Sequence, residues 1–386
     1  MRACAKAILT TFILRKKLRI IISKPVLLMF DYKERIRLLR DALEKQRCDA
    51  FITSFIPHLR YLTGFSGSNG LCIVTHTKVF FLTDFRYKEQ IRNEIVCSRS
   101  FITSGELIEK AAKEKLLGGC KRVGVEKEYL AFAQYLDLQR KFSAVRFVAT
   151  SEFVESLASL KSKAEISLIT KAVAITDAVF EEVLKIVKAG ISELDVSAEI
   201  SYLHKKHGAE KDSFEPIVVS GPRGSLPHGR PSTKKIKRGE LVTLDLGCFY
   251  NGYCSDLTRT VAVGKPSVEA REVYSVVLQA QQNAIDSARS GIEAKKFDGV
   301  ARSYIQAKGY GKYFGHGLGH GIGLQIHEFP RISARSTHTL QDGNVITVEP
   351  GIYLSGKFGV RIEDDIVIRD GGCDVLTKAP KSMMIL

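Results

Sequence analysis

The sequence of 386 residues predicts two α/β (α+β) domains, the second with an internal pseudo-twofold repeat. Strand and helix signals alternate from Asp31 to Phe147, as in a single mixed domain. A polar stretch, SLKSKAE, interrupts this pattern, and after it the order helix, helix, strands occurs twice. These observations place an amino-terminal domain at residues 29–158 and a carboxy-terminal domain at residues 159–386.

The composition is that of a globular protein, with 45% hydrophobic and 26% charged residues, and it excludes disordered, collagen-like and disulfide-stapled classes. A net charge of +16 raises the question of a nucleic-acid or membrane partner. However, seven of the 58 basic residues lie within residues 1–28, which contain no acid. Because much of the surplus belongs to this leader, we expect neither partner.

The basic leader at residues 1–28 contains two short apolar runs, neither near the ~20 residues of a membrane span. It also lacks the ordered regions of a signal peptide. Met29, followed by the helix-forming DYKERIRLLRDALEKQR, is therefore a candidate start of the native protein. The alternatives are a targeting or membrane-surface segment and a structural extension.

The amino-terminal domain is predicted to contain helices from Asp31 to Arg47 and from Tyr87, and strands at Asp49–Thr53, Gly70–Thr75 and Val79–Thr83. Its GFSGSNG segment has the glycine content of a phosphate loop. However, the strand-like LCIVT follows it, so no helix N-terminus is offered to a phosphate. We interpret this segment as a turn.

The carboxy-terminal domain is predicted to contain two pairs of helices, each helix followed by a glycine. The helices span Ala164–Lys188, Ser192–His207, Ser267–Arg289 and Glu293–Lys308. Strands follow each pair: PIVVSG, ELVTLDLGCFYNGY and SDLTRTVAVG after the first, and segments around GIGLQIHE, NVITVEPGIYL and GVRIEDDIVI after the second.

The eight cysteines show no CxxC spacing, which excludes a zinc ribbon and a thioredoxin-type motif. Reduced thiols and a cytoplasmic location are the expectation. The sequence leaves a pairing of Cys248 with Cys254 open.

Four acids occupy positions where a strand would normally be apolar: Asp245, Asp256, Glu349 and Glu363. Burying a carboxylate costs several kcal/mol unless it is compensated. The Asn251-Gly252 turn predicts a hairpin that joins the two aspartates, and a turn at Gly356 brings the two glutamates opposite each other. Four converging negative charges would be neutralised by two divalent cations.

Three histidines, His316, His320 and His327, lie among the glycines of GHGLGHGIGLQIHE. This segment is not the helical zinc-protease signature, since no second histidine follows HE at the required spacing. Oxygen-rich ligation with one imidazole suits Mn(II), Co(II), Zn(II) or Fe(II). A bridged metal pair would hold and acidify a water for attack on a carbonyl.

The sequence from about residue 31 resembles the Xaa-Pro aminopeptidase (aminopeptidase P) and prolidase branch of the pita-bread metallopeptidases, which have a creatinase-like amino-terminal domain. The resemblance rests on LPHGRP, VTLDLGCFYNGYCSDLTRT, GHGLGHGIGLQIHEFP, ITVEPGIY and GVRIEDD, and on RYLTGFSGSNG and FLTDFRY in the amino-terminal domain.

The resemblance implies five metal ligands, Asp245, Asp256, His320, Glu349 and Glu363. Asp256 and Glu363 would bridge two metal ions, most readily Mn(II). Glu349 would also be the proton shuttle, which takes a proton from the bridging water and passes it toward the leaving nitrogen.

The resemblance further implies that His228 and His327 contact the substrate and stabilise the tetrahedral oxyanion. His316 would line the pocket that receives proline, while Tyr353 and Arg361 would complete the hydrogen bonds around the metal ligands.

The function expected from the resemblance is an Xaa-Pro aminopeptidase that acts on peptides with proline at the second position. A prolidase, which accepts only the dipeptide, is the alternative, and a non-catalytic binding scaffold is a third. Creatinase chemistry is disfavoured because the ligands are present, and methionine aminopeptidases generally lack the amino-terminal domain. The resemblance also implies a homodimer.

Overall fold

The computed structural model describes residues 29–386, so the predicted leader at residues 1–28 lies outside the described residues. The amino-terminal domain is one six-stranded sheet in the order β4-β3-β2-β1-β5-β6. Its strands are β1 (Ala50–Thr53), β2 (Leu71–Thr75), β3 (Val79–Asp84), β4 (Arg99–Thr103), β5 (Arg122–Glu126) and β6 (Arg146–Thr150). Its helices are α1 (Tyr32–Lys45), α2 (Ile56–Thr63), α3 (Lys88–Glu94), α4 (Leu107–Lys113), α5 (Phe132–Lys141) and α6 (Phe153–Ser159).

The predicted elements of this domain are confirmed, with ends that differ by one or two residues. Helix α1 starts one residue later than predicted because Asp31 is its N-cap, accepting the backbone N–H of Glu34. The GFSGSNG segment is a loop between α2 and β2, entered through Gly64, whose φ of 85° suits a helix C-terminus.

The carboxy-terminal domain contains two long helix pairs and four small sheets. Its helices are α7 (Lys163–Leu184), α8 (Glu193–Lys206), α9 (Val268–Ser287) and α10 (Ala294–Ala307). Strands of its first half are β7 (Lys211–Asp212), β8 (Ile217–Ser220), β9 (Leu241–Leu246), β10 (Cys248–Tyr250), β11 (Tyr253–Cys254) and β12 (Leu257–Ala262). Strands of its second half are β13 (Gly319–Gly321), β14 (Glu328–Ile332), β15 (Val345–Val348), β16 (Gly351–Leu354), β17 (Phe358–Arg361), β18 (Asp364–Arg369) and β19 (Gly372–Val375).

The predicted repeat of helix pair and strands is present. Helices α7 and α8 precede the sheet β12-β9-β8, and α9 and α10 precede the sheet β14-β13-β15-β18-β19. Serine N-caps begin three of the four helices, at Ser162, Ser192 and Ser267. The strands predicted around GIGLQIHE are β13 and β14, and most of GIGLQIHE itself is the loop between them, which we call the 322–327 loop.

A single hydrophobic cluster, the interdomain core, joins the two domains. Leu39, Leu59 and Phe65 of the amino-terminal domain belong to the same cluster as Ile322 and Val345 of the carboxy-terminal domain. All five side chains are fully buried. The amino-terminal domain is therefore packed directly against the 322–327 loop and the start of β15.

The cysteines of the described residues are free, so Cys248 and Cys254 are not paired. Within residues 29–386, no helix combines the length and the apolar character needed to cross a membrane.

Candidate active site

The two aspartates lie on the β9–β12 ladder. Asp245 is directly opposite Thr258, and Asp256 lies two residues before Thr258, so the two aspartates are diagonal neighbours on one face. The connecting turn has positive φ at both Asn251 (48°) and Gly252 (79°), as a tight hairpin requires. The predicted hairpin is confirmed.

The two glutamates lie at a break between two ladders. Val348 pairs with Asp364 in β15–β18, and Gly351 pairs with Arg361 in β16–β17. The pairing continues in the same register from one ladder to the other. Glu349 and Glu363, which lie between the two ladders, are therefore opposite each other. The chain reverses at Gly356, where φ is 72°. The prediction that this turn pairs the glutamates is confirmed.

His320 lies on β13 and faces these acids. Its Nε2 is 3.5 Å from Oε1 of Glu349 and 3.7 Å from Oδ2 of Asp256. Its Nδ1 is 3.0 Å from the carbonyl oxygen of Gly321 and donates to it, which leaves the Nε2 lone pair free to bind a metal. A Cβ at Gly319 would lie 2.1 Å from the oxygen of Thr347, so only glycine allows this approach.

Burial changes the charge states of the site. Desolvation, reinforced by neighbouring carboxylates, raises the pKa of Asp256 and Glu363 well above their ordinary values. Desolvation likewise raises the pKa of Asp245, and that of Glu349 to about 8. It lowers the pKa of His320 to about 4, so the imidazole is neutral at pH 7. The site therefore offers carboxyl groups that need a cation and an imidazole ready to bind one.

The Oδ1 atom of Asp245 fits such a cation, since it is buried and has no hydrogen-bond partner among the described residues. Ligand atoms of Asp256, His320 and Glu363 all lie within 4.8 Å of one another. Carboxylate oxygens and one imidazole nitrogen suit hard to borderline divalent ions. The residues present therefore fit divalent metal ions.

A chain of hydrogen bonds connects the remaining predicted residues to Asp245. His316 Nε2 lies 2.9 Å from the Tyr353 hydroxyl, which accepts from Arg361 Nη1 at 2.9 Å. Arg361 Nη2 then donates to Oδ2 of Asp245 at 2.5 Å. Arg361 also donates to the oxygen of Pro227, which precedes His228. Arg361 thus links the acids, the tyrosine and the His228 loop.

His228 and His327 are both exposed, unlike the acids. The centroid of the His327 ring lies 4.4 Å from that of His320. Desolvation lowers the pKa of His327, and the neighbouring His228 lowers it further, so the two imidazoles lie close enough to interact. Their predicted contact with substrate remains a prediction.

Comparisons with known proteins agree with this geometry. A model of "Metallopeptidase family M24" matches residues 167–370, and a model of the "Creatinase/Prolidase N-terminal domain" matches residues 35–157. The chain belongs to metallopeptidase family M24. The predicted pita-bread fold with a creatinase-like amino-terminal domain is confirmed, and the chain is a metallopeptidase of a family that uses two divalent metal ions.

Three relatives show how similar this M24 peptidase is to proteins of known structure or name. An Xaa-Pro dipeptidase from Bacillus anthracis is 41% identical, with a TM-score of 0.90, over 92% of this chain and 100% of that one. An X-Pro aminopeptidase from Thermotoga maritima is 37% identical, with a TM-score of 0.82, over 88% and 98%. An Xaa-Pro dipeptidase of Pyrococcus horikoshii is 36% identical over 91% and 99%.

Several residues that support the site of the M24 peptidase were not found from the sequence. Thr258 Oγ1 donates to Glu363 at 2.6 Å, and Thr347 Oγ1 accepts the backbone N–H of His320 at 3.1 Å. Oδ2 of Asp365 accepts the backbone N–H of Asp256 at 3.0 Å. The threonines could not be recognised from the sequence because threonine is common in β-strands. Asp365 could have been recognised, since it is another acid in an otherwise apolar strand.

The contribution of the buried acids to the stability of the metal-free M24 peptidase should fall as the pH rises. The folded pKa of Asp256, Glu363 and Glu349 lies above the unfolded value of about 4, so the folded state binds more protons than the unfolded state. This contribution is fully present below pH 4 and is lost as the pH rises through the folded values, about 8 for Glu349.

Bound cations should remove this loss because they replace the protons. We expect the difference in melting temperature between metal-loaded and metal-free protein to widen from pH 5 to pH 8. Calorimetry with and without Mn(II) at each pH measures it. A difference that stays constant would contradict the assignment of these acids as the cation ligands.

Proposed function

We propose that this M24 peptidase is an Xaa-Pro dipeptidase, which hydrolyses the bond between a first residue and a carboxy-terminal proline. The two relatives named as dipeptidases, at 41% and 36% identity, support this activity over the aminopeptidase that we expected from the sequence. The aminopeptidase remains the second candidate because the Thermotoga maritima relative carries that name at 37% identity.

The preference for a dipeptide substrate is proposed from the position of Arg331. Arg331 is directly opposite His320 in the β13–β14 ladder, so the two side chains share the face that holds the acids. Its positive charge contributes to the lowered pKa of both His320 and His327, and its side chain is exposed. In an Xaa-Pro dipeptide a free carboxylate follows the proline directly, and an arginine beside the metal ligands is suited to bind it.

The proposed metal ligands are Asp245, Asp256, His320, Glu349 and Glu363. Two divalent ions held there, proposed to be Mn(II), would polarise the scissile carbonyl and acidify a water. Asp256 and Glu363 are proposed as the bridging ligands because the resemblance implies this role, and because their ligand atoms lie with that of His320 within 4.8 Å of one another in a buried part of the site.

The proposed proton carrier is Glu349. A carboxylate that binds a metal ion through one oxygen keeps its second oxygen free, so Glu349 would take a proton from the attacking water and pass it to the leaving proline nitrogen. His228 and His327 are proposed to donate hydrogen bonds to the oxyanion that develops on the carbonyl. His316, held by Tyr353, is proposed to line the proline pocket.

The test measures the hydrolysis of three substrates by Mn-loaded protein. They are an Xaa-Pro dipeptide, the amide of the same dipeptide, and an Xaa-Pro-Xaa-Xaa tetrapeptide. We expect kcat/KM for the dipeptide to exceed that for both others by about tenfold or more, because only the dipeptide presents the carboxylate and a hydrogen bond to a charged group contributes about 1.5 kcal/mol. Equal cleavage of the tetrapeptide would establish the aminopeptidase instead. Folded, metal-loaded protein that cleaves none of them would favour a binding scaffold.

Arg331→Gln should raise KM for the dipeptide about tenfold and leave hydrolysis of the dipeptide amide unchanged, because a hydrogen bond to a charged group contributes about 1.5 kcal/mol. Steady-state kinetics on both substrates measures the difference. Arg289→Gln is the matched control, since Arg289 is bonded to the oxygen of Ser287 on α9. Equal losses on both substrates would remove Arg331 from carboxylate recognition.

The remaining features are proposed on the resemblance and the free cysteines. We propose a homodimer, a cytoplasmic location, and a domain boundary near residue 159. Light scattering of the purified protein tests the dimer.

A further inference from the structure

A buried ion pair lies beside the 322–327 loop. Lys161, in the linker between α6 and α7, places its Nζ 2.7 Å from Oε2 of Glu328, the first residue of β14. Only 1% of the lysine side chain and 9% of the glutamate side chain are exposed. Each charge therefore depends on the other, because a buried charge without a partner is strongly unfavourable.

The ion pair holds the backbone of the loop. Oε1 of Glu328 accepts the backbone N–H of Gln325 at 2.9 Å. A Cβ at Gly323 would lie 2.5 Å from Oε2 of Glu328 and 2.8 Å from Cε of Lys161, so the pair packs directly on the loop backbone. The oxygen of Gly323 also accepts from Cys254 N–H at 2.7 Å. The loop is thus fixed by the glutamate on one side and by β11 on the other.

Lys161 is itself held in place by the segment before β15. Its backbone N–H donates to the oxygen of Gly343 at 2.9 Å. Nδ2 of Asn344 donates to the oxygen of Ser159, at the end of α6, at 3.1 Å. The lysine therefore connects the loop to the strand that leads into Glu349.

His327 depends on this backbone for its position. Among residues 29–386, no group hydrogen-bonds the His327 ring, and the residues on either side of it are those of the fixed loop. We infer that Lys161 is a positioning residue, whose ion pair with Glu328 holds His327 toward the scissile carbonyl, a role that rests on the proposed function of His327.

Lys161→Met keeps most of the apolar part of the side chain and removes the charge. We expect kcat on the Xaa-Pro dipeptide to fall by about 10- to 100-fold while KM stays within about threefold, because His327 would act on charge that develops only in the transition state. Both metal equivalents should remain bound, since no ligand is altered.

The matched control is Arg35→Met. Arg35 forms an equally buried pair with Glu165 at 2.9 Å, which joins α1 to α7, and within residues 29–386 neither partner hydrogen-bonds the 322–327 loop. This variant should lower the melting temperature and leave kcat of the folded protein unchanged. If Arg35→Met lowers kcat as much as Lys161→Met does, the effect is a general loss of stability and the inference is overturned.

A double variant covers the case in which Lys161→Met fails to fold. Lys161→Met/Glu328→Gln has no buried charge, and the glutamine can still accept from Gln325. We expect it to fold and to remain at least about tenfold below the natural protein in kcat. Full kcat in the double variant would mean that Lys161 only neutralises a buried charge, which overturns the inference.

A spectroscopic measurement separates this inference from the proposed function. In the metal-free protein labelled with 15N-histidine, the His327 resonance is identified by its loss in His327→Ala. It should shift in Lys161→Met and stay unchanged in Arg35→Met. A shift in a protein that cleaves no Xaa-Pro substrate would defeat the proposed function and support the positioning; an unchanged resonance would overturn the positioning.

Discussion

Asp256→Asn should abolish turnover and reduce the bound metal below two equivalents. The variant keeps the size of the side chain and removes the charge that we propose bridges the two ions, at a position only 6% exposed. Since metal ions contribute several kcal/mol to stabilising the transition state, we expect kcat to fall by about 1,000-fold or more. Metal analysis of the dialysed protein and steady-state kinetics measure both effects.

Glu126→Gln is the matched control for this variant. Glu126 is an equally buried carboxylate, but it lies in the amino-terminal domain, where it pairs with His58 and Thr53. The control should lower the melting temperature and keep both metal ions and full activity. Two bound equivalents and natural turnover in Asp256→Asn would disprove the bridging assignment.

Glu349→Gln should lower kcat by about 100- to 10,000-fold with KM little changed, because a positioned proton carrier contributes a factor of that size. The glutamine oxygen can still ligate, so the experiment is run at saturating Mn(II) with the metal content measured in parallel. Loss of rate with both ions bound isolates the proton transfer from the metal binding.

The control for the proton carrier is Glu165→Gln, at a buried glutamate that pairs with Arg35 and accepts from Tyr253. It should change stability and leave the rate unchanged. A kcat of Glu349→Gln within tenfold of the natural value would assign the proton transfer to another group.

The hairpins and helices could be predicted from the sequence because the residue patterns that determine them lie within short segments of the chain. Positions 349 and 363 are symmetric about Gly356, and the observed register keeps them opposite each other across two separate ladders. Acids in otherwise apolar strands identified the site because a buried carboxylate needs compensation.

The supporting contacts could not be predicted because they join distant segments. Lys161 belongs to the polar stretch SLKSKAE, which we interpreted as a boundary, yet its side chain is buried against Glu328, 167 positions away. GIGLQIHE has the composition of a strand, but the Glu328 side chain, rather than a neighbouring strand, accepts the N–H of Gln325. The proposed preference for a dipeptide likewise rests on the position of Arg331 opposite His320, which only the β13–β14 register shows.

The interdomain core couples the two domains energetically. Removal of the amino-terminal domain would expose Ile322 and Val345 to water, at about 25 cal/mol for each Å² of apolar surface. The two domains are therefore expected to unfold cooperatively, in one transition, and a carboxy-terminal fragment should not fold by itself. Since ligands stabilise the whole cooperative unit that binds them, the metal ions would protect from unfolding a domain that contributes none of their ligands.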